Sequence, residues 1–412
     1  MLPNNHIFFN LVNNLVFHPF DKVVTGRIIS MFAYIGVLIV VFNWLRWFIP
    51  YRLLALIATF LVAIQFTTLG FSSQARGYEL QLLAGWVSLV SLLKYYRDEK
   101  KQWLRWHAFA CIIGYVTIPS FLFFHAALLL FIFLKQAYEH KVDFRIWKYQ
   151  LTSFCFVFLF YLPAFCFSGI NAFAENRYVS SVVGTWEEFV PDFIEKFKYF
   201  VNYGFSFMLG ENHWINYLMF VLPVALIFSR NRSIKLFGVF YVLLWGVFIL
   251  LVLYMKRFPF CRNLIIHYSI TQAFVVLALF SVIHFIASKF RFKLITYILF
   301  PAAAVMLSNH YLKAYKENFE FLLYFNHVNE IYKLNDEGIN TIPKGSSIGF
   351  SNESFYWYYY CNKRNYKTNK CPDGSEAYYI KRPQENLPEG FESKYQLLKS
   401  LPEDYEIYRR NQ

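Results

Sequence analysis

The sequence predicts an all-α polytopic membrane protein of about ten transmembrane helices with added interfacial helices, closed by a small α/β C-terminal extracytoplasmic domain. Three observations carry that expectation. Of the 412 residues, 57% are hydrophobic, 22% aromatic and only 16% charged, whereas a soluble globular chain carries about 25% charged residues. Apolar runs long enough to cross a bilayer recur as far as residue 309, and Lys and Arg gather in the short segments between them. A soluble surface has nowhere to put so much apolar material. Hydrocarbon does.

Apolar runs of about 17–25 residues place spans near 26–45, 53–71, 77–96, 106–119, 120–135, 149–168, 214–229, 234–255, 264–288 and 293–309. The fourth and fifth are short and meet at Pro119, which has no N–H to continue a helix, so a tight hairpin is expected there. Ahead of the first span, residues 4–20 read as an interfacial helix, with Phe8, Leu11, Val12 and Leu15 on one face and Asn10, Asn13 and Asn14 on another. The longest loop, 170–212, contains W-E-E-F-V-P-D-F-I-E-K-F-K-Y-F, the pattern of an amphipathic helix on the membrane surface.

The loops alternate in charge. One set holds Arg46 and Arg52; Lys94, Arg97, Lys100, Lys101 and Arg105; Lys135, Lys141, Arg145 and Lys148; Arg230, Arg232 and Lys235; and Lys289, Arg291 and Lys293. The other set is poorer in both residues. The positive-inside rule makes the first set cytoplasmic and puts both chain ends outside, in the periplasm of a Gram-negative cell. This accounts for the net charge of +14 without nucleic acid, for which the sequence offers no basic face or recognition module. The N-terminus lacks the basic region and small-residue cleavage site of a signal peptide. An interfacial helix that starts outside usually follows a span, so an earlier span is expected ahead of Met1.

The transmembrane domain is read as 1–309 and the polar C-terminal domain as 310–412. The tail opens on a helix expected over 310–334, where Phe319, Leu322, Leu323 and Ile331 repeat at helical spacing. Short strands are expected at 346–350, 354–360, 376–380 and 405–408, with the turn signals P-K-G-S and P-D-G-S between them. Cys111, Cys155 and Cys166 sit in apolar runs as small core residues. Cys361 and Cys371 lie in the tail, where an oxidising compartment would let them pair. No CxxC or His/Cys metal spacing is read, and no metal is expected. Tyr356, Trp357 and Tyr358 have the faces to stack on sugars, but a small core needs them too.

Two cationic clusters are the candidates for chemistry. In F-S-S-Q-A-R-G-Y-E-L-Q-L-L-A-G-W (71–86), Ser72, Ser73, Gln74, Arg76, Tyr78 and Glu79 crowd the outer junction of two spans. A cation at the edge of hydrocarbon is costly unless paired or bound, and Arg grips a phosphate with two parallel hydrogen bonds. The plainer readings are a snorkelling Arg76 or an Arg76–Glu79 pair at i, i+3. The second cluster, M-K-R-F-P-F-C-R-N-L (255–264), holds Lys256, Arg257 and Arg262 on the same outer face, against the positive-inside trend. Its plainer reading is non-specific contact with lipid headgroups. His125, alone in an apolar span, reads as a packed, hydrogen-bonded residue.

The motifs N-N-H-I-F-F (4–9), G-R-I-I-S (26–30), S-S-Q-A-R-G-Y (72–78), the basic hairpin K-Y-Y-R-D-E-K-K-Q-W-L-R-W (94–106) and P-F-C-R-N-L (259–264) follow one another at spacings that resemble a known pattern. Over roughly residues 4–290 the chain resembles the GT-C superfamily of integral-membrane glycosyltransferases. The similarity is to the branch of protein mannosyltransferases, aminoarabinose transferases and lipopolysaccharide-core glycosyltransferases. The resemblance implies transfer of a sugar, hexosyl or pentosyl, from a polyprenyl-phosphate donor to a glycan, lipid or protein acceptor at the outer face of the bacterial cytoplasmic membrane. It implies no cofactor; the lipid-phosphate-linked sugar is the substrate. It gives Arg76, Arg262 and Arg257 to the donor phosphate, and His6, Gln74 and Tyr78 to the cavity lining. The catalytic carboxylate of that family lies just before its N-H-P motif, and so is expected ahead of Met1. Asp21, Glu79, Glu175, Glu187 and Glu188 are the remaining outer acids, and Ile7 stands where the family usually has Pro. The competing readings are a transporter or polymerase of lipid-linked glycans, and a truncated, non-catalytic relative.

Overall fold

A computed structural model describes residues 7–17, 22–74, 76–168, 186–206, 214–255, 258–289, 293–334, 340–350, 366–369, 375–381, 387, 390–401 and 405–411. The chain forms two compact units, Met1–Glu317 and Asn318–Gln412. The first is built from α1 (Ile7–Phe17), α2 (Lys22–Leu45), α3 (Arg52–Ala63), α4 (Phe66–Ser72), α5 (Tyr78–Asp98), α6 (Lys101–Thr117), α7 (Phe121–Tyr138) and α8 (Phe144–Ser168). It continues with α9 (Trp186–Ser206), α10 (Trp214–Val221), a 3-10 segment Leu222–Phe228, α11 (Arg232–Met255), a 3-10 turn Cys261–Leu264, α12 (Ile265–Lys289) and the part of α13 (Lys293–Leu334) up to Glu317.

Among the described residues, five helical stretches are long and apolar enough to cross a membrane: Arg27–Leu45, Phe121–Tyr138, Arg232–Met255, Cys261–Lys289 and Leu294–Lys316. Arg52–Ala63 and Trp214–Phe228 are apolar but shorter. Large apolar side chains stand exposed on these helices, among them Phe32 and Ile39 on α2 and Ile298 and Met306 on α13; Leu151 and Phe158 do the same on α8. A water-facing monomer rarely tolerates such surface. In hydrocarbon it costs nothing, and helices are favoured there because they satisfy every backbone group internally. Cys111 is buried as expected, while Cys155 and Cys166 sit on the exposed apolar face of α8.

Helix α12 lies at the centre, with Ile265–Ala278 buried without interruption. Two of its hydroxyls accept from tryptophans on neighbouring helices, while both ring nitrogens of the buried His267 have no hydrogen-bond partner among the described residues. Trp86 Nε1 donates to Ser269 Oγ at 3.0 Å and Trp245 Nε1 to Thr271 Oγ1 at 2.9 Å. Trp44 packs against Trp86, Phe237 and Phe274 at ring separations of 5.6, 5.3 and 5.6 Å.

Two departures from the expected spans matter for the site. The span read over 53–71 is broken: α3 stops at Ala63 and α4 starts at Phe66. The carbonyls freed at the break are taken up by side chains from elsewhere. Gln272 Nε2 donates to Leu61 O at 3.3 Å, the Tyr34 hydroxyl to Ala63 O, and the Tyr315 hydroxyl to Ile64 O at 3.0 Å. A break at this depth needs such partners. Second, the span at 293–309 and the tail helix at 310–334 form one continuous α13, because N-H-Y-L-K-A-Y-K after Ser308 contains no helix breaker. The hairpin at Pro119 forms as expected. Ile118 is extended (φ −147°, ψ 122°), the conformation a following proline imposes.

The five basic loops are knitted together at one end of this unit. The Arg97 guanidinium lies 4.6 Å from the Trp47 ring, and Lys135 Nζ 4.2 Å from the Tyr96 ring. The Tyr95 hydroxyl donates to Asp143, Arg232 pairs with Glu139 at 3.3 Å, and Arg230 stands 6.0 Å over Phe285. Asp143 also receives the Arg145 backbone N–H, Nε and Nη2, each at 3.0 Å. Partial burial would push its carboxyl up, but the Arg145 and Tyr95 donors outweigh that and hold it below the usual carboxylate range.

The second unit carries a five-stranded mixed sheet in the order β2-β1-β3-β5-β4. Its strands are β1 (Ser347–Phe350), β2 (Lys367–Asn369), β3 (Tyr378–Lys381), β4 (Tyr395–Leu401) and β5 (Tyr405–Arg410). β1 runs parallel to β2 and β3, and the β3–β5 and β5–β4 pairs are antiparallel. Ile348, Phe350, Ile380 and Ile407 form its core. β1, β3 and β5 fall on expected strands. β2 and β4 do not, because K-T-N and Y-Q-L-L-K-S-L alternate too weakly to stand out. The strand read over 354–360, and Cys361 and Cys371, lie outside the described residues.

Candidate functional site

The end of the helical unit away from the basic loops gathers both cationic clusters. The loop between α4 and α5 is fixed from α2: the Ser30 hydroxyl, fully buried, lies 2.7 Å from Gln74 O and 3.0 Å from Arg76 O. The Arg76 N–H closes a tight turn onto Gln74 O at 2.8 Å. These contacts leave Gln74 and Arg76 exposed and send Tyr78 inward, where it packs on Phe71 at 4.8 Å between ring centres.

Arg262 arrives from the opposite direction. It sits on the 3-10 turn after Phe260 and rests on that ring at 4.5 Å, an arrangement that stabilises a partly desolvated guanidinium. Arg76 reaches the Tyr78 hydroxyl, and Arg262 is close enough for its charge to act on the same hydroxyl. Arg262 also acts on the Tyr203 hydroxyl of α9. Residues far apart in the sequence thus bring two guanidiniums to the Tyr78 phenol at one end of the bundle. Neither arginine forms an ion pair with a carboxylate among the described residues.

Helix α9 enters the site through the break between α3 and α4. Thr67 Oγ1 donates to Tyr203 O at 2.9 Å, and the Gln65 side-chain amide donates to Gly204 O. Gly204 permits this approach: a Cβ there would stand 2.4 Å from Tyr268 Cδ1. The loop expected to lie on the membrane surface therefore supplies a buried tyrosine to the site. Tyr203 and Tyr199 were missing from the sequence-predicted set. The available signal was K-Y-F-V-N-Y-G (198–204), where Tyr199 and Tyr203 stand at i and i+4 behind the amphipathic pattern.

Glu79 does not belong with the arginines. Its side chain is fully buried, and neither carboxylate oxygen has a hydrogen-bond partner. The Arg76–Glu79 pair is not formed. His6, Lys256 and Arg257, and the side chains of Asp21, Glu175, Glu187 and Glu188, lie outside the described residues.

Chemically, two guanidiniums with hydrogen-bonding phenols and no described counter-carboxylate make an anion site. The planar, forked donors suit an oxyanion such as a phosphate. No family model matches the chain, and no curated protein matches it.

Proposed function

We propose that the protein is a membrane glycosyltransferase that moves a sugar from a polyprenyl-phosphate donor to a glycan, lipid or protein acceptor. The observation that supports this most is the convergence of Arg76 and Arg262 on Tyr78. It joins the two motifs from which the phosphate ligands were expected. In this reading the helical segments cross the bacterial cytoplasmic membrane about ten times, the basic loops are cytoplasmic, and the arginines and the sheet domain are extracytoplasmic.

The reaction is an inverting displacement. The acceptor oxygen attacks the anomeric carbon, the bond from that carbon to the phosphate oxygen breaks, and its electron pair leaves with the lipid phosphate. Arg76 and Arg262 stabilise the charge that builds there. A carboxylate takes the acceptor's proton. The test separates binding from transfer. Full-length protein in detergent is titrated with polyprenyl phosphate and assayed with a panel of polyprenyl-phosphate pentoses and hexoses. Arg76→Ala and Arg262→Ala are each expected to weaken phosphate binding and to abolish transfer. Unchanged binding in both variants overturns the reading.

A second reading, a transporter of lipid-linked glycans, is favoured by one observation: a buried carboxylate, Glu79, beside the broken helix α3–α4. Broken helices and intramembrane acids mark transport sites. Reconstituted vesicles that translocate the lipid-linked glycan without forming a glycosidic bond would select this reading.

A further inference from the structure

Helices α6, α7 and α8 enclose a cluster that the proposed transfer reaction does not use. His107 and Cys111 lie at i and i+4 on α6, so they share a face, and His125 of α7 is directed at the same point. Cys111 Sγ is 3.8 Å from His107 Nε2 and 3.6 Å from His125 Nε2. All three ligand atoms lie within 4.8 Å of one another, and all three side chains are fully buried.

The outer partners orient both rings toward that point. The Ser88 carbonyl, 2.9 Å from His107 Nδ1, can only accept, so the proton is on Nδ1 and the Nε2 lone pair faces Cys111. Gln150 spans the two rings: its Nε2 donates to the His107 Nε2 lone pair at 2.6 Å, and its Oε1 accepts from His125 Nε2–H at 2.9 Å. The Tyr115 hydroxyl, 3.0 Å from His125 Nδ1, can donate or accept, so an ion that takes the place of the Gln150 hydrogen bonds moves the His125 proton to Nδ1 and leaves that ring held. A hydrogen bond on the remote ring nitrogen is how proteins orient histidine ligands.

We propose that His107, Cys111 and His125 bind a single copper ion as Cu⁺, with Gln150 above the plane. Metal–sulfur and metal–nitrogen bonds of about 2.3 and 2.0 Å meeting at about 120° put sulfur and nitrogen about 3.7 Å apart, which the two Sγ–Nε2 distances bracket. Two histidines and a cysteine in a trigonal set with a weak axial amide is a copper arrangement. Charge decides the oxidation state. The hydrogen-bond partners Ser88, Tyr115 and Gln150 are neutral, so a thiolate and a monovalent ion sum to zero, whereas Zn²⁺ would bury a net charge at high cost. Binding replaces the Cys111 S–H bond with a Cu–S bond and releases one proton; no electron moves.

The full chain, produced in copper-supplemented medium and purified anaerobically in detergent, is analysed for metal per protein and by copper-edge X-ray absorption. One copper per chain is expected, with one sulfur and two imidazoles around it. His107→Ala and His125→Ala leave every cysteine in place and are each expected to remove it. Gel filtration identifies any variant that has lost its fold. For such a variant, His→Gln at the same position replaces it and keeps a hydrogen-bonding side chain for Gln150. Absence of copper from the parent protein, copper undiminished in the folded variants, or zinc in its place each overturns the assignment.

Discussion

The two ends of the helical unit treat cations in opposite ways. At the basic end Arg97 and Lys135 lie on aromatic rings, Arg145 grips Asp143, and Arg232 meets Glu139. At the other end Arg76 and Arg262 converge on tyrosine hydroxyls, and neither pairs with a described carboxylate. Cations that already have partners fix structure and orientation. Cations held by neutral acceptors keep their charge. Under the proposed function, the difference separates arginines that hold the protein from arginines that bind a phosphate.

The largest expected effect tests that separation directly. Arg76→Ala or Arg262→Ala should reduce sugar transfer by about a hundredfold or more, the scale for losing one donor to a developing oxyanion, with little change in thermal stability. Arg145→Ala should do the reverse, keeping transfer while lowering the melting temperature. A pattern in which all three variants lose stability and activity together would remove the distinction between the ends.

Next in size is Gly204→Ala. Its Cβ would meet Tyr268 at 2.4 Å, and relieving that overlap should cost about 1–3 kcal/mol. The same displacement moves Tyr203 relative to Arg262, so phosphate binding should weaken along with the melting temperature. A stable Gly204→Ala protein with normal phosphate binding would mean that α9 does not help form the site.

How far this architecture was legible in the sequence depends on how local its causes are. The α2, α7, α11 and α12 segments and the Pro119 hairpin are written in runs of adjacent residues, and each was read close to where it lies. The break at Ile64–Gln65 is not local: apolar I-Q-F-T-T reads as a continuous span until Tyr34, Gln272, Tyr315 and α9 supply its partners. Arg76, Tyr78 and Arg262 were named from motifs, but their meeting is a property of packing. Glu79 looked like the partner of Arg76 at i, i+3, yet its carboxylate faces the other way into the bundle. The copper ligands were half visible. H-x-x-x-C at 107–111 is a helical ligand spacing that was not read as one, and His125 comes from the next helix.

Asp143→Ala should have a smaller effect than Gly204→Ala, about 1 kcal/mol for losing a helix-capping carboxylate, and its sign with pH is fixed. The folded carboxyl lies below its unfolded value of about 3.9. Its contribution is therefore complete above about pH 4 and is lost as pH falls through the folded value. The stability gap between parent and Asp143→Ala should be constant near neutrality and narrow as pH falls below about 4. A gap that stayed open at the lowest pH would mean that Asp143 acts by shape and not by charge.

The smallest effect belongs to Arg232, whose side chain is 72% exposed where it meets Glu139. Exposed pairs of this kind contribute about 0–1 kcal/mol, because water screens the attraction and ordering two long side chains opposes it. Arg232→Ala should leave both the melting temperature and transfer unchanged within error. The positive charge of this loop acts at a different stage, when the chain is inserted and the loop's side of the membrane is chosen. Replacing Arg230, Arg232 and Lys235 together by neutral residues should then alter the protease accessibility of neighbouring loops in membranes while leaving single-site stability effects small. Unchanged accessibility would show that orientation is set by the other four basic loops, and a large stability loss from Arg232→Ala alone would place that arginine among the cations that hold the protein together.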